Sequence, residues 1–275
     1  MKTVARNVGS ASADQCWCAP TTQFAQSCTT WQSSAQPISP PPRLIRSLIA
    51  ICCSTSLLSI SFASEHPLNQ LTPQEQAAGW ILLFNGKNLD GWMTSSEKPS
   101  NRPVEDASLN PHKCGGYMLI HEQTWENFQL SLDFKISPQC NSGIFLRTFP
   151  LKPLPGKDVG TNGIEIAVDD TRTADFHDTG AVYDLVRPAK NAMKPAGEWN
   201  RILITCDKNL LTVELNGEQV NHMDFEEWTQ PGKRPDGSAH KFDEAFKNHP
   251  RRGYIGLQDH GGNCWYRNIK LRVIE

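Results

Sequence analysis

No stretch of this 275-residue chain combines Lys and Arg with interleaved aromatic side chains, and a formal net charge of -2 supplies no general attraction toward phosphate backbones or anionic lipid. Nucleic acid is thereby set aside as a partner. No apolar run reaches the roughly 20 residues that a membrane-spanning helix needs. Internal repeats are missing, and no Cys, His, Asp or Glu spacing matches a zinc or other metal motif. No metal ligand and no cofactor is therefore assigned, and dependence on a divalent cation is left open. What the chain does have is aromatic surface: eight Trp, eleven Phe and four Tyr. An aromatic face packs equally well on core side chains and on the C–H face of a sugar, and most of these residues are expected in the core.

Residues 1–42 are rich in Ser, Thr, Gln, Ala and Pro, carry no hydrophobic period and end in Pro40-Pro41-Pro42. Such a composition cannot build a core and reads as a disordered or mis-annotated extension. Arg43 and Arg46, the apolar stretch from Leu48 to Phe62 and the small residues Ala63-Ser64 then follow the basic, apolar, small-residue order of a secretory signal. Residues 43–64 are read as that signal, with translation starting nearer Arg43 and a periplasmic or secreted product. The alternative is an uncleaved segment that anchors the chain, the one route to a membrane. Of nine cysteines, only Cys114, Cys140, Cys206 and Cys264 follow the cleavage site. In an oxidising compartment these four allow three pairings, and the order of residues does not choose among them. Cys206, on an apolar strand face, reads as an inert core thiol.

The remainder, 65–275, reads as one domain. Thr72-Pro73-Gln74-Glu75 is a capping box with Pro at the first helical position, and Gly79 lies where a stop falls, so a short helix opens it. From there the hydrophobic period is two. Phe128, Leu130, Leu132, Phe134 and Ile136 alternate without exception, which is a strand with one buried face. The pattern returns at Ile202, Ile204 and Cys206 and at Leu211, Val213 and Leu215, after which Asn216-Gly217 marks a tight hairpin turn. Further strands are expected at 80–84, 117–121, 144–148, 164–168, 218–223, 254–258 and 266–274. Residues 226–250 read as a long surface excursion with a helical turn at 241–247. Many short strands separated by turn signals make the fold class all-β, an antiparallel β-sandwich of jelly-roll type.

Several stretches taken in order resemble one family. They are Gly79 to Trp92 (GWILLFNGKNLDGW), Asn141 to Arg147 (NSGIFLR), Gly163-Ile164-Glu165-Ile166, Thr179 to Tyr183, Gly197-Glu198-Trp199-Asn200, Leu215-Asn216-Gly217, Gly253 to Gly261 and Arg267-Asn268-Ile269. Any one is weak; the ordered set, over about residues 79–274, is similar to the 3-keto-disaccharide hydrolase domain family. Two departures stand out. Ala167 follows Glu-Ile where the family more often has Gln, and 158–160 reads as a local insertion. The resemblance implies a concanavalin A-like lectin/glucanase fold. It also implies a hydrolase that splits glycosidic bonds in sugars whose C3 hydroxyl has been oxidised to a ketone, so that the expected partner is an oxidised (3-keto) sugar. A C3 ketone acidifies the C2 hydrogen and places the C1 oxygen β to the carbonyl, so removing that hydrogen can expel the aglycone before water adds back. Such chemistry needs a base near C2, a cation or donor at the enolate oxygen and an acid for the leaving group.

Strand parity proposes the residues. With Ile164, Ile166 and Val168 inward, Glu165 and Asp169 point outward; with Ile144 and Leu146 inward, Arg147 points outward; with Ile255 and Leu257 inward, Gln258 and His260 point outward. If these strands are neighbours, Arg147, Glu165, Gln258 and His260 share one open face. Glu165 or His260 is then the base and Arg147 polarises the ketone. Asn141, Gln258, Tyr183 and Asp169 contact the substrate, although Asp169 reads equally as a turn or cation site. Asp259 falls on the core parity, where a buried pair with Arg267 is as good a reading as any, and Trp199 and Trp265 read as core. Two rivals remain. A retaining β-glucanase would pair Glu165 with Asp169, but four strand residues separate their Cα atoms by about 13 Å whereas the carboxyl groups must be about 5 Å apart. A non-catalytic carbohydrate-binding module would fit the fold equally well.

Overall fold

The computed structural model describes residues 67–275 apart from 158 and 172. The extension and the signal-like segment lie outside the described residues. The capping box forms as expected: Thr72 Oγ1 accepts from Glu75 N (3.1 Å), and Glu75 Oε2 accepts from Thr72 N (2.8 Å). It starts the short helix α1 (Pro73–Ala77). Eleven strands follow: β1 (Trp80–Leu82), β2 (Trp92–Thr94), β3 (Met118–Trp125), β4 (Phe128–Ile136), β5 (Asn141–Thr148), β6 (Ile164–Asp169), β7 (Asn200–Asp207), β8 (Leu210–Leu215), β9 (Glu218–Asp224), β10 (Gly253–Gln258) and β11 (Cys264–Val273).

The strands form two antiparallel sheets, one ordered β1-β11-β4-β7-β8-β9 and the other β2-β3-β10-β5-β6. The inner faces meet in one core that includes Phe128, Leu130, Phe134, Ile144, Leu146, Ile166, Ile204, Leu257 and Leu271. This is a β-sandwich, and the period-two residues of β4 are its spine. Asn216 (φ 54°) and Gly217 (φ 84°) both take positive φ between β8 and β9, the conformation that their hairpin turn requires. Periodicity missed β2, which is too short to show a period. The excursion 226–250 carries 3-10 turns at Phe225–Glu227 and Phe246–Asn248, so its helical turn lies at the end of the expected 241–247 span.

A second apolar cluster, Met118, Ile120, Phe145, Leu151 and Val159, covers part of the outer face of the five-stranded sheet beneath the 149–162 loop. That outer face is therefore only partly open to solvent. Cys114, Cys140, Cys206 and Cys264 are all buried thiols. Burial pushes the Cys206 thiol up to about 11, which keeps it protonated and unreactive.

Five side chains stand elsewhere than the residue order placed them. Between β10 and β5 the register jumps from Tyr254↔Thr148 to Gly256↔Phe145, so Leu146 and Arg147 oppose Ile255 alone. This bulge, with Arg147 at φ 51°, turns the Arg147 side chain off the open face. Arg147 is 1% exposed, and its Nε and Nη2 donate to the Glu126 carbonyl at 3.2 and 2.8 Å. Trp199 and Trp265 are half-buried on the outer face of the six-stranded sheet, with Lys135 Nζ 5.0 and 4.9 Å from their rings. Asp259 and Arg267 do not pair. Asp259 accepts from Lys113 N (2.7 Å) and lies 3.3 Å from His112 Nδ1, whereas Arg267 stacks 3.7 Å over Trp199.

Candidate functional site

A groove of about 220 Å³ opens on the outer face of the five-stranded sheet, where β6, β5 and β10 run side by side. Glu165, Asn141, Gln258, His260, Tyr183 and Lys241 line it, with Tyr117, Thr161 and Phe242 at its edges. Glu165 sits on β6 opposite Phe145 of β5, and its carboxylate lies back over Gly143. A Cβ at position 143 would fall 2.6 Å from Glu165 Oε1, so glycine there makes the room that the carboxylate occupies. On its other edge β6 is met by the 180–183 segment: Gly180 N donates to Ala167 O (3.0 Å) and Tyr183 N to Glu165 O (2.9 Å). Paired backbone on both sides thus holds Glu165 and delivers the Tyr183 ring beside it.

Gln258, 3% exposed at the end of β10, donates from Nε2 to Tyr117 Oη at 2.7 Å. Its buried Oε1 has no hydrogen-bond partner among the described residues. A buried amide oxygen without a donor is costly, and a substrate hydroxyl in the groove would satisfy it. His260 is exposed on the turn after β10; Asp259 Oδ1 accepts from Gly261 N (3.2 Å) and braces that turn.

Lys241 was invisible to sequence reasoning. It lies in the excursion, where no period operates, and reaches the groove because Lys241 N donates to Asp184 Oδ2 (2.8 Å). Asp184 is itself anchored by Arg234, whose Nη2 donates to the Asp184 carbonyl at 2.7 Å. Lys241 Nζ lies 3.9 Å over the Tyr183 ring, so a cation stands at the mouth of the groove. Thr161 and Phe242 were missed for the same reason, since loop residues carry no parity signal; Tyr117, expected as the first residue of a strand, lies in the bend just before β3.

The expected constellation is therefore brought together for Glu165, His260, Gln258, Asn141 and Tyr183, and not for two residues. Arg147 is buried away from the groove, as described. Asp169 lies at the far end of β6, outside the lining, and accepts from Asn141 Nδ2 at 3.2 Å. Burial, with Asp178 close by, raises its carboxyl above the usual range. Among the described residues no group of three or more His, Cys, Asp and Glu side chains is placed to hold a metal ion.

The loop 149–162 is pinned to the excursion by His249, which is 6% exposed and lies between the carbonyls of Pro250 (2.9 Å from Nδ1) and Asn162 (3.3 Å from Nε2). Burial outweighs both carbonyls and pushes the imidazole down to about 4. Its folded value is below the unfolded one, so the unfolded chain takes up the extra proton first. The stability this residue contributes is complete above pH 6.5 and is lost as pH falls toward 4, by on the order of 3 kcal/mol. Denaturant unfolding at several pH values should show a shallower acid loss in His249→Gln than in the parent.

An antiparallel sandwich that gathers a carboxylate, an imidazole, two carboxamides, a lysine and aromatic rings in one groove is of the class that handles carbohydrate, because those groups match hydroxyls and the C–H faces of sugars. The chain belongs to the 3-keto-alpha-glucoside-1,2-lyase-like domain family, whose profile matches residues 79–272 and so includes every groove residue named above. A 3-keto-disaccharide hydrolase of Bacteroides thetaiotaomicron is 29% identical over 234 residues, which cover 72% of this chain and 80% of that protein. Two crystal structures from Parabacteroides distasonis, both provisionally assigned as glycosyl hydrolases, share the fold. One has 30% identity and a TM-score of 0.57, covering 71% of this chain and 99% of that one; the other has 26% identity and a TM-score of 0.62, covering 76% and 100%.

Proposed function

We propose that this protein cleaves the glycosidic bond of sugars that carry a ketone at C3, 3-keto-disaccharides or related 3-keto-glycosides, by elimination followed by hydration. Family membership makes the chain a glycosidase-type hydrolase; the keto substrate and the order of steps are our reading. The observation that carries it is that Glu165, His260 and Lys241, a base, an acid and a cation, line one groove. Glu165, half-buried and held on a strand paired along both edges, takes the C2 proton. Lys241 faces the oxygen that becomes negative as C2 is deprotonated, the task that parity had given to Arg147. The electron pair left at C2 forms the C1–C2 double bond as the C1–O bond breaks, and His260, on an exposed turn, supplies the proton that the departing oxygen takes. Water then adds to C1 and gives its surplus proton to His260 while Glu165 returns its proton to C2, so both groups are restored and the sum is glycoside plus water giving a 3-keto sugar and an alcohol. Gln258 Oε1, Asn141 and Tyr183 orient hydroxyls and the ring face.

The "1,2-lyase" in the family's description supports the elimination half. A retaining β-glucanase is disfavoured because Asp169, the second carboxylate it needs, lies outside the groove and is engaged by Asn141. Incubating the protein with a 3-keto-disaccharide and with its unoxidised parent should release free sugar from the keto form alone. Equal cleavage of the parent would identify an ordinary glycanase, and binding of both without cleavage a lectin-like module.

A further inference from the structure

We propose that a second sugar subsite lies directly beside the Glu165 groove, across Tyr117, and receives the leaving-group sugar of the substrate. The proposal rests on the reading of that groove as the 3-keto-sugar site. A separate hollow of about 310 Å³ is lined by Ser95, Ser96, Tyr117, Leu151, Lys152 and Val159. Tyr117 also lines the Glu165 groove, and Val159 and Gly160 are chain neighbours on opposite sides of the divide. The two hollows therefore lie end to end. One sits over β6, β5 and β10 and the other beside the ends of β2 and β3, so together they run across the strands of the five-stranded sheet beneath the 149–162 loop.

Size requires a continuation. A space of about 220 Å³ falls below the roughly 300–1,000 Å³ typical of sites for drug-sized ligands and suits one sugar ring. A disaccharide must reach beyond it, and the shared Tyr117 wall marks the direction. That wall is held in place: Gln258 Nε2 donates to Tyr117 Oη, and a Cβ at Gly160 would fall 2.6 Å from the same oxygen, so Gly160 permits the ring's close approach. The chemistry of the second hollow is amphipathic in the manner that a sugar needs. Leu151 and Val159, 7% and 4% exposed, offer an apolar wall, while the exposed Ser96 and Lys152 offer donors at the rim. A hydroxylated leaving group can hydrogen-bond to those rim donors while its C–H face packs on Leu151 and Val159. The scissile oxygen then falls beside the Tyr117 hydroxyl, between the two rings.

Filling the hollow tests this. Ser96 is exposed on the turn after β2, so Ser96→Trp occupies the space without entering the core. In the full-length protein the variant should raise KM for a 3-keto-disaccharide by about tenfold and leave kcat/KM for the methyl 3-keto-glucoside within about twofold. Lys152→Ala, at another exposed position, should act in the same direction by about threefold. Equal loss on both substrates, or no loss on either, overturns the subsite. Calorimetric titration of the same two sugars into protein carrying Glu165→Gln, with and without Ser96→Trp, reads binding without chemistry. If the parent protein cleaves neither sugar, the lyase reading fails while a selective loss of disaccharide affinity still upholds the subsite; undiminished disaccharide affinity, or no binding at all, overturns it.

Discussion

Glu165→Gln is expected to lower kcat on a 3-keto-disaccharide by about 10³-fold with little change in KM, the loss that follows when a positioned general base is removed. Glutamine keeps the length and the hydrogen-bonding oxygen of the side chain, so the groove keeps its shape and only the proton acceptor is lost. Glu165 is favoured over His260 because its strand is paired on both edges and its carboxylate lies in the room left by Gly143, whereas His260 rides on an exposed turn. Precise placement of this kind gives a carboxylate its advantage in abstracting a C–H proton. Steady-state kinetics with the folded variant, its melting temperature measured alongside, checks the prediction. Retention of more than about a tenth of the activity would pass the base's role to His260.

Lys241→Met and Arg147→Met should part company. Removing Lys241 takes away the cation facing the developing enolate oxygen, and loss of one such group costs about 10²-fold in kcat. It should cost little stability, because Lys241 is exposed and its fixed contact to Asp184 is made by its backbone. Arg147→Met should leave kcat within about twofold and instead destabilise the fold by about 1–3 kcal/mol, since the Glu126 carbonyl loses its donors. Kinetics and denaturant unfolding on the two variants give opposite signatures. The reverse pattern, an inactive but stable Arg147→Met, would return the ketone-polarising role to Arg147.

The strands were legible because each has one face in the core, and a buried face imposes a period of two that survives in the order of residues. Phe128 to Ile136 therefore marks β4 at its observed ends, and Asn216-Gly217 marks the turn between β8 and β9. Glu165, Gln258 and His260 were legible for the same reason, as odd members of apolar strands, and the ordered family stretches placed Asn141 and Tyr183 with them. Parity failed at Arg147 because it assumes an unbroken strand. One bulge with a left-handed residue resets which way the chain faces, and nothing local announces it. Arg147 was thus buried and Lys241 took its place at the groove, carried there by Arg234, Asp184 and a loop with no period. The residue order settles which strands form and which faces are apolar, because those depend on neighbours along the chain. Which cation reaches the groove, and that the groove continues past Tyr117, depended on contacts between distant loops, and only the folded chain could settle them.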